Sequence, residues 1–307
     1  MRITIILSTY NGIQFLQEQL KSLVSQAYDN AKLKLIVRDD GSNDESYEFL
    51  KQFISKSSMH VELLDDRTNL GVKKSFELLM NVALKNGADY IMFCDQDDVW
   101  HSDKISKTMT IMQQMEIFSP QQPILVHSDL SVVDNDLIIL HNSFWKYQNI
   151  NPIKDTLNRL VLHNTVTGCT TMINRPLAQL AQTIPDEAIM HDWWIAMVAS
   201  VFGQVGYVDE SLMLYRQHSA NDTGAKQYGW RYWLDRFMQK PSLEKYILQA
   251  RAFLECYHDQ LTPEHIAMLE AVSRLNQMNW LGRRRTLIKY KIFKNGFVRN
   301  IGLMVFV

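Results

Sequence analysis

Asp95, Asp97 and Asp98 fall within four positions of the segment FCDQDDVW, directly after the apolar run Tyr90–Cys94. Three carboxylates this close repel one another, and some would take up protons unless a counter-charge is present. A divalent cation supplies one. Magnesium and manganese favour oxygen ligands, and magnesium usually takes one or two carboxylates together with phosphate oxygens. An acidic cluster at an open strand end therefore suits a metal–phosphate complex better than a closed structural metal. The plainer alternative is a solvated turn with helix-capping aspartates, because short acidic motifs recur by chance.

Other groups suit a nucleotide. Ser8, Thr9 and Tyr10 offer hydroxyls and a stacking ring, and Asp40 offers an acceptor, a set that fits a nucleobase and ribose. Against that, Tyr10 can simply pack, and DDGSND can be a turn with a helix cap. Asp192 in HDWW is a further carboxylate, far along the chain. Its position ahead of an apolar helix suits an ordinary N-cap. Trp193 and Trp194 offer an apolar platform for sugar faces, with core packing as the blander account. For His127, His191 and Lys74 a structural role is the better reading.

These groups sit at the ends of segments with regular periodicity. Ile3 to Leu7 is a β-rich apolar run, and Ile13, Leu16, Leu20, Leu23 and Val24 then recur at helical spacing. KLKLIVRD predicts a second strand, and Ser42 to Glu45 has the form of a capping box opening a helix through Ile54. HVELL predicts a third strand, the residues from Gly71 a helix stopping near Gly87, and YIMFC a fourth strand. Strands alternating with helices imply right-handed βαβ units, an α/β fold and a mostly parallel sheet. Ligands in such sheets bind outside the carboxyl ends of the strands, so STYNG, DDGS, DRTNLG and DQDD should converge on one crevice. Farther on, ILVHSDLSVVD, TVTGCTTMIN and QVGYVD read as strands, and HDWWIAMVASVFG as a buried helix ending at Gly203.

The ordered set ILSTYNG, VRDDGSND, NLGVKKSFE and FCDQDDVWHSDKI resembles the family 2 glycosyltransferases of the GT-A fold, over roughly the first 220 residues. LVHSDLSVVD, SFWKYQ, TVTGCTTMINR, MHDWWIAMVAS and LYRQH further resemble the bacterial rhamnosyltransferases that build cell-surface polysaccharides. The resemblance implies a Rossmann-like, mostly parallel central sheet flanked by helices. SANDTG and the change in charge that follows place a boundary near residue 222, between a catalytic domain over residues 1–222 and a C-terminal region over 223–307 that is helical in pattern. By position, Ser8, Tyr10, Asp40 and Asp95 match the residues that hold the donor nucleotide, Asp97 matches the ligand of a divalent metal, Mn2+ or Mg2+, and Asp192 matches the catalytic base. His218 sits where related enzymes often place a further metal or diphosphate ligand. Asp98 and Arg216 are candidates for contact with the donor sugar or diphosphate. The implied reaction is inverting transfer, most naturally of L-rhamnose from dTDP-L-rhamnose, to a polyprenyl-linked saccharide; a UDP-hexose donor is the alternative.

Composition bounds these readings. At 307 residues and 46% hydrophobic, the chain can build one large core, with or without an appendage. Cys94, Cys169 and Cys256 are widely spaced and odd in number, which suits reduced thiols and a cytoplasmic location. No run approaches the roughly 18 apolar residues of a membrane span. Of 32 Lys and Arg, eight fall between Ala271 and Val307, where there is no Asp or Glu, so the first 270 positions carry 24 basic against 33 acidic side chains. A basic amphipathic tail containing Trp280, Leu281, Tyr290, Phe293 and Phe297 can lie at the inner face of the cell membrane. It can equally pack on the body or join copies in a homo-oligomer. The acidic body argues against nucleic acid. A nucleotidyltransferase would want a Gly-rich phosphate loop with Arg and Lys near the N-terminus, which STYNGIQ lacks; a non-catalytic membrane-associated scaffold remains as a rival from another class.

Overall fold

A computed structural model describes residues 1–28, 32–218 and 243–306. The expected boundary near residue 222 lies outside the described residues. Among the described residues nine strands form one sheet, β1 (Arg2–Thr9), β2 (Lys32–Asp39), β3 (His60–Leu63), β4 (Tyr90–Cys94), β5 (Val99–Trp100), β6 (Ile124–Val133), β7 (Ile139–His141), β8 (Met172–Asn174) and β9 (Gln204–Arg216). Their order is β3-β2-β1-β4-β8-β6-β9-β5, with β7 beside β6.

The first half of the sheet is the part that periodicity predicts. β3, β2, β1 and β4 pair in parallel. The helices α1 (Ile13–Val24), α2 (Ser46–Lys56) and α3 (Gly71–Lys85) make the crossovers between them. α3 stops where expected, with Gly87 at φ +78°, a backbone conformation that costs glycine little. The capping box at α2 is not formed. Ser42 Oγ instead accepts from the Asn11 amide at 2.9 Å, and Asp44 takes over the helix start, accepting from the Ser46 amide at 3.0 Å. Joining the loops after β1 and β2 has claimed the hydroxyl that would have capped the helix.

The second half is mixed. β8 runs antiparallel to both β4 and β6, whereas β9 runs parallel to β6 and antiparallel to β5. TVTGCTTMIN supplies only three strand residues, because Gly168–Thr170 turns as a short 3-10 helix. α4 (Lys104–Phe118), α5 (Phe144–Gln148), α6 (Leu157–Leu160), α7 (Arg175–Leu180) and α8 (His191–Phe202) complete this part. α8 ends before Gly203, as expected. The Pro123 carbonyl lies 1.8 Å from where a Cβ on Gly203 would stand, so only glycine fits that approach.

The C-terminal helices α9 (Glu244–Tyr257), α10 (Pro263–Ser273), α11 (Trp280–Lys289) and α12 (Phe297–Phe306) pack on this body. Trp194 of α8 meets Phe253 and Tyr257 of α9 at ring separations of 5.2 and 6.0 Å, and Trp193 meets Tyr246 at 5.9 Å. Leu287, Ile292 and Leu303 join the same core as Phe76 and Trp194. Both tryptophans are buried, Trp194 wholly, so the expectation of a sugar platform gives way to core packing. The Trp193 indole donates to the Leu160 carbonyl at 2.5 Å. The cysteines are unpaired thiols, Cys94 and Cys169 buried and Cys256 exposed. Among the described residues no helix is long and apolar enough to cross a membrane.

Candidate active site

The loops after the parallel strands do converge. A cleft of about 410 Å³ at the carboxyl ends of β1, β2 and β4 is lined by Ser8, Tyr10, Asp40, Asp95, Asp97 and Asp192, with Gly168, His191 and Tyr215 among the remainder. Six of the nine predicted site residues therefore face one space. The other three, Asp98, Arg216 and His218, do not line it.

Each loop is locked by hydrogen bonds that cross between strands. Gln96 accepts from Thr9 Oγ1 at 2.6 Å and from the Tyr10 amide at 2.8 Å. It thereby ties the loop after β1 to the acidic segment and leaves the Tyr10 ring half exposed at the cleft. Asp40 accepts from the amides of Leu70 and Gly71 at 2.8 and 2.9 Å and pairs with the fully buried Arg38. Arg38 also donates to the Thr68 carbonyl and to Ser75 Oγ. The Asp40 carboxylate thus holds the first turn of α3, where unsatisfied amides and the helix dipole favour negative charge. Ser8 Oγ lies 2.7 Å from Ser75 Oγ.

The acidic cluster stands at the centre. Asp98 is fully buried; its Oδ1 accepts from the Arg216 amide at 3.3 Å, and its Oδ2 has no hydrogen-bond partner among the described residues. Asp95, Asp98 and Cys169 can bring ligand atoms within 4.8 Å of one another. Burial pushes the Asp95 carboxyl up to about 7, and the neighbouring charges of Asp97 and Asp192 add to the shift. Burial raises Asp98 well above the carboxylate range, again with Asp97 and Asp95 adding to it. Asp97 Oδ2 pairs with His218 Nε2 at 2.7 Å, and the His218 ring stacks on Phe15 at 4.6 Å. Arg216 lies behind this group. Its guanidinium donates to the Asp97 carbonyl at 3.0 Å and also engages Asn135 and Glu18.

Asp192 reaches the same cleft from α8. It is not the N-cap of α8, a place taken by Met190, but lies within the first turn. Its Oδ2 accepts from the Gly168 amide at 3.0 Å and from Asn164 Nδ2 at 3.3 Å, and its Oδ1 accepts from the Trp193 amide at 2.6 Å. Burial lifts the carboxyl to about 6 in spite of these bonds, which favour the ionised form. The segment leading into α8 is clamped on two sides. Lys73 donates to the carbonyls of Asp186 and Ala188 at 2.5 and 2.7 Å, and Lys74 to that of Ile184 at 2.6 Å. From α9, Gln249 accepts from the Ile189 amide at 2.9 Å.

Two histidines have structural surroundings, as expected. His127 is buried 3.2 Å from Asp155, and His191 is stacked on Phe76 at 4.3 Å, with burial lowering its pKa to about 3. The groups that sequence reasoning missed are Arg38, Gln96 and the Gly168 amide. Gln96 sits inside the acidic motif and Arg38 directly before DDGS, so adjacency was the available signal; the Gly168 amide had none.

The mixed, mostly parallel sheet flanked by helices, with a crevice of carboxylates and hydroxyls at its strand ends, is a GT-A-like α/β fold. The model of glycosyl transferase family 2 matches residues 4–178, and the chain belongs to that family. The dTDP-rhamnosyl transferase RfbG of Shigella flexneri is 27% identical over 229 residues, 71% of this chain and 74% of that protein. A TarS 1–349 structure from S. aureus, in complex with UDP-GlcNAc, superposes with a TM-score of 0.60 at 14% identity, covering 94% of this chain and 80% of that one. A mannosyltransferase of Pyrobaculum calidifontis, in complex with GDP-Man and Mn2+, gives 0.54 at 15% identity, covering 94% and 73%. These two likenesses bear on the fold alone. The family match ends before Asp192, Arg216 and His218, so their positions stand on the geometry.

Removing the buried cation should be costly. Arg38→Leu leaves Asp40 buried without its partner and should lower stability by about 3–5 kcal/mol. Lys51→Ala, at the exposed Lys51–Glu48 pair, should cost no more than about 1 kcal/mol. Urea denaturation of the two variants checks the contrast, and equal losses would remove the anchoring role given to Arg38.

Proposed function

We propose that the chain transfers L-rhamnose from dTDP-L-rhamnose to a saccharide carried on a polyprenyl lipid, with inversion at the anomeric carbon. The observation that carries the transferase chemistry is the shared cleft: Asp192 faces the same space as Ser8, Tyr10, Asp40, Asp95 and Asp97. The choice of donor rests on the similarity to the Shigella rhamnosyl transferase.

In this reading Tyr10 stacks on the nucleobase, and Ser8, Asp40 and Asp95 hold base and ribose. Asp192 accepts the proton of the acceptor hydroxyl as its oxygen bonds to C1 of the sugar. The bond from C1 to the diphosphate oxygen breaks, and the electron pair leaves with the nucleoside diphosphate. Its raised pKa suits Asp192 to this work, since a base is most effective when its pKa lies near the working pH. Asp98 and Arg216 serve from behind the cleft, fixing the backbone of the acidic segment rather than touching the sugar.

The donor set fits a divalent cation. Carboxylates are crowded and lifted towards protonation, one buried Asp98 oxygen is unpartnered, and Asp97 is paired with an imidazole. Asp97 and His218 would hold the ion, Mn2+ or Mg2+, whose chemistry here is to stabilise the charge of the departing diphosphate.

A membrane-tethered acceptor also gives the C-terminal helices a role. The last two, α11 and α12, each pack one face on the body and carry exposed apolar side chains on another. Phe297, Ile301 and Val305 recur at i, i+4 and i+8 on α12, with Phe297 79% exposed. Leu281, Arg285 and Ile288 share an exposed face of α11, beside Lys289. Apolar side chains flanked by cations suit the surface of an anionic bilayer. This supports a protein that works at the cytoplasmic face of the membrane.

Two experiments test the reading. kcat/KM should rise with pH through an apparent pKa near 6 and level off above it, because Asp192 must be ionised. Asp192→Asn should lose at least about 100-fold in kcat while remaining folded; unchanged turnover would turn the reading towards a non-catalytic scaffold. In flotation assays the protein should bind phosphatidylglycerol vesicles and not phosphatidylcholine vesicles. Phe297→Glu with Ile301→Glu should abolish that binding, and vesicle binding indifferent to both charge and substitution would remove the membrane role.

A further inference from the structure

Lys104 opens α4 and is wholly buried. Its ammonium donates to the Cys169 carbonyl at 2.8 Å, contacts Met213 Sδ at 3.3 Å and lies 4.4 Å from the centre of the Trp100 ring. Among the described residues no carboxylate lies within ion-pair distance of it. A buried ammonium with a single oxygen partner costs several kcal/mol unless a field of opposite sign compensates.

That field is close by. The residue whose carbonyl Lys104 grips, Cys169, also contributes its thiol to the group formed with Asp95 and Asp98. Burial lowers the Lys104 pKa to about 8, and the charges of the Cys169, Cys94, Asp98 and Asp95 side chains work in the other direction. The same turn carries the Gly168 amide that donates to Asp192 at 3.0 Å. One side chain thus stands behind the acidic cluster and, one residue away through the backbone, behind the carboxylate on the far wall of the cleft.

We propose that Lys104 is a positioning residue: a fixed counter-charge behind Asp95 and Asp98 which, by holding the Cys169 carbonyl, sets the Gly168 amide against Asp192. The inference rests on the reading of a cation held at the acidic segment and a base at Asp192. It has a signature that packing alone does not produce. Loss of the charge leaves the cluster more negative, so a divalent ion binds more tightly. Loss of the grip on Cys169 loosens the turn, so Asp192 is misplaced and turnover falls.

The test compares Lys104→Met with Lys104→Arg, using Mn2+ titration calorimetry and steady-state kinetics. Lys104→Met should bind Mn2+ roughly tenfold more tightly and lose about 10- to 100-fold in kcat. Lys104→Arg should return both to within about threefold of the wild type. Lys104→Gln is a second neutral variant, read in the same way. Wild-type protein labelled with 13C-lysine gives a measurement independent of how the neutral variants fold: the Lys104 signal, assigned by its loss in the Arg variant, should move when Mg2+ is added. Unchanged or weaker Mn2+ binding in the neutral variants, or a Lys104 signal indifferent to Mg2+, overturns the inference while leaving the transferase reading in place. Failure of the wild type to bind Mn2+ at all, or full turnover by Asp192→Asn, overturns the reading and the inference together.

Discussion

Like charge crowded at the end of β4 is the constraint around which the rest of this protein is arranged. Asp95, Asp97 and Asp98 occupy one turn, and Asp192 faces them closely enough to raise the pKa of Asp95. Left to themselves in a partly buried cleft, such groups would repel or protonate. The chain opposes that with groups of several kinds: the imidazole of His218 on Asp97, the Arg216 guanidinium on the Asp97 carbonyl, and amides on Asp98 and Asp192. The buried ammonium of Lys104 lies behind them. These groups lower the cost of the cluster without neutralising it, which leaves it able to take up a cation.

The same charges are tied to the scaffold by short routes. Asp40 holds the first turn of α3, and Lys73 and Lys74 on that helix hold the carbonyls of the segment entering α8. From the other side Gln249 holds the amide of Ile189. The Asp40 end of the cleft, the Asp192 end and the first of the C-terminal helices are therefore linked through α3, α8 and α9. Such coupling depends on packed elements with few alternative positions, which the large shared core provides. The C-terminal region adds Leu287, Ile292 and Leu303 to that core.

The parallel half of the fold was legible because its signals are local. Helical and strand periods alternate cleanly from Ile3 to Cys94, and the rule that ligands sit at strand ends then places the four polar loops together. The mixed half was less legible, since the pairing of β8 with both β4 and β6 depends on residues far apart in sequence. The turn at Gly168–Thr170 interrupts what reads as one strand. At the site, residues named for their own chemistry were visible, whereas those that support them were not. Arg38 and Lys104 are charges buried by tertiary packing, and their places beside DDGS and within HSDKI do not reveal that burial. The capping box failed for the same reason: Ser42 had a partner across the sheet that a four-residue pattern cannot contain.

The central claim is that the cleft binds an activated rhamnose together with a divalent ion. Titration calorimetry of the protein with dTDP-L-rhamnose, with and without Mn2+ and against UDP-sugars, tests it most directly. dTDP-L-rhamnose should bind saturably, more tightly with Mn2+ than without it and more tightly than every UDP-sugar. Binding of UDP-sugars alone, or no effect of the metal, would contradict it.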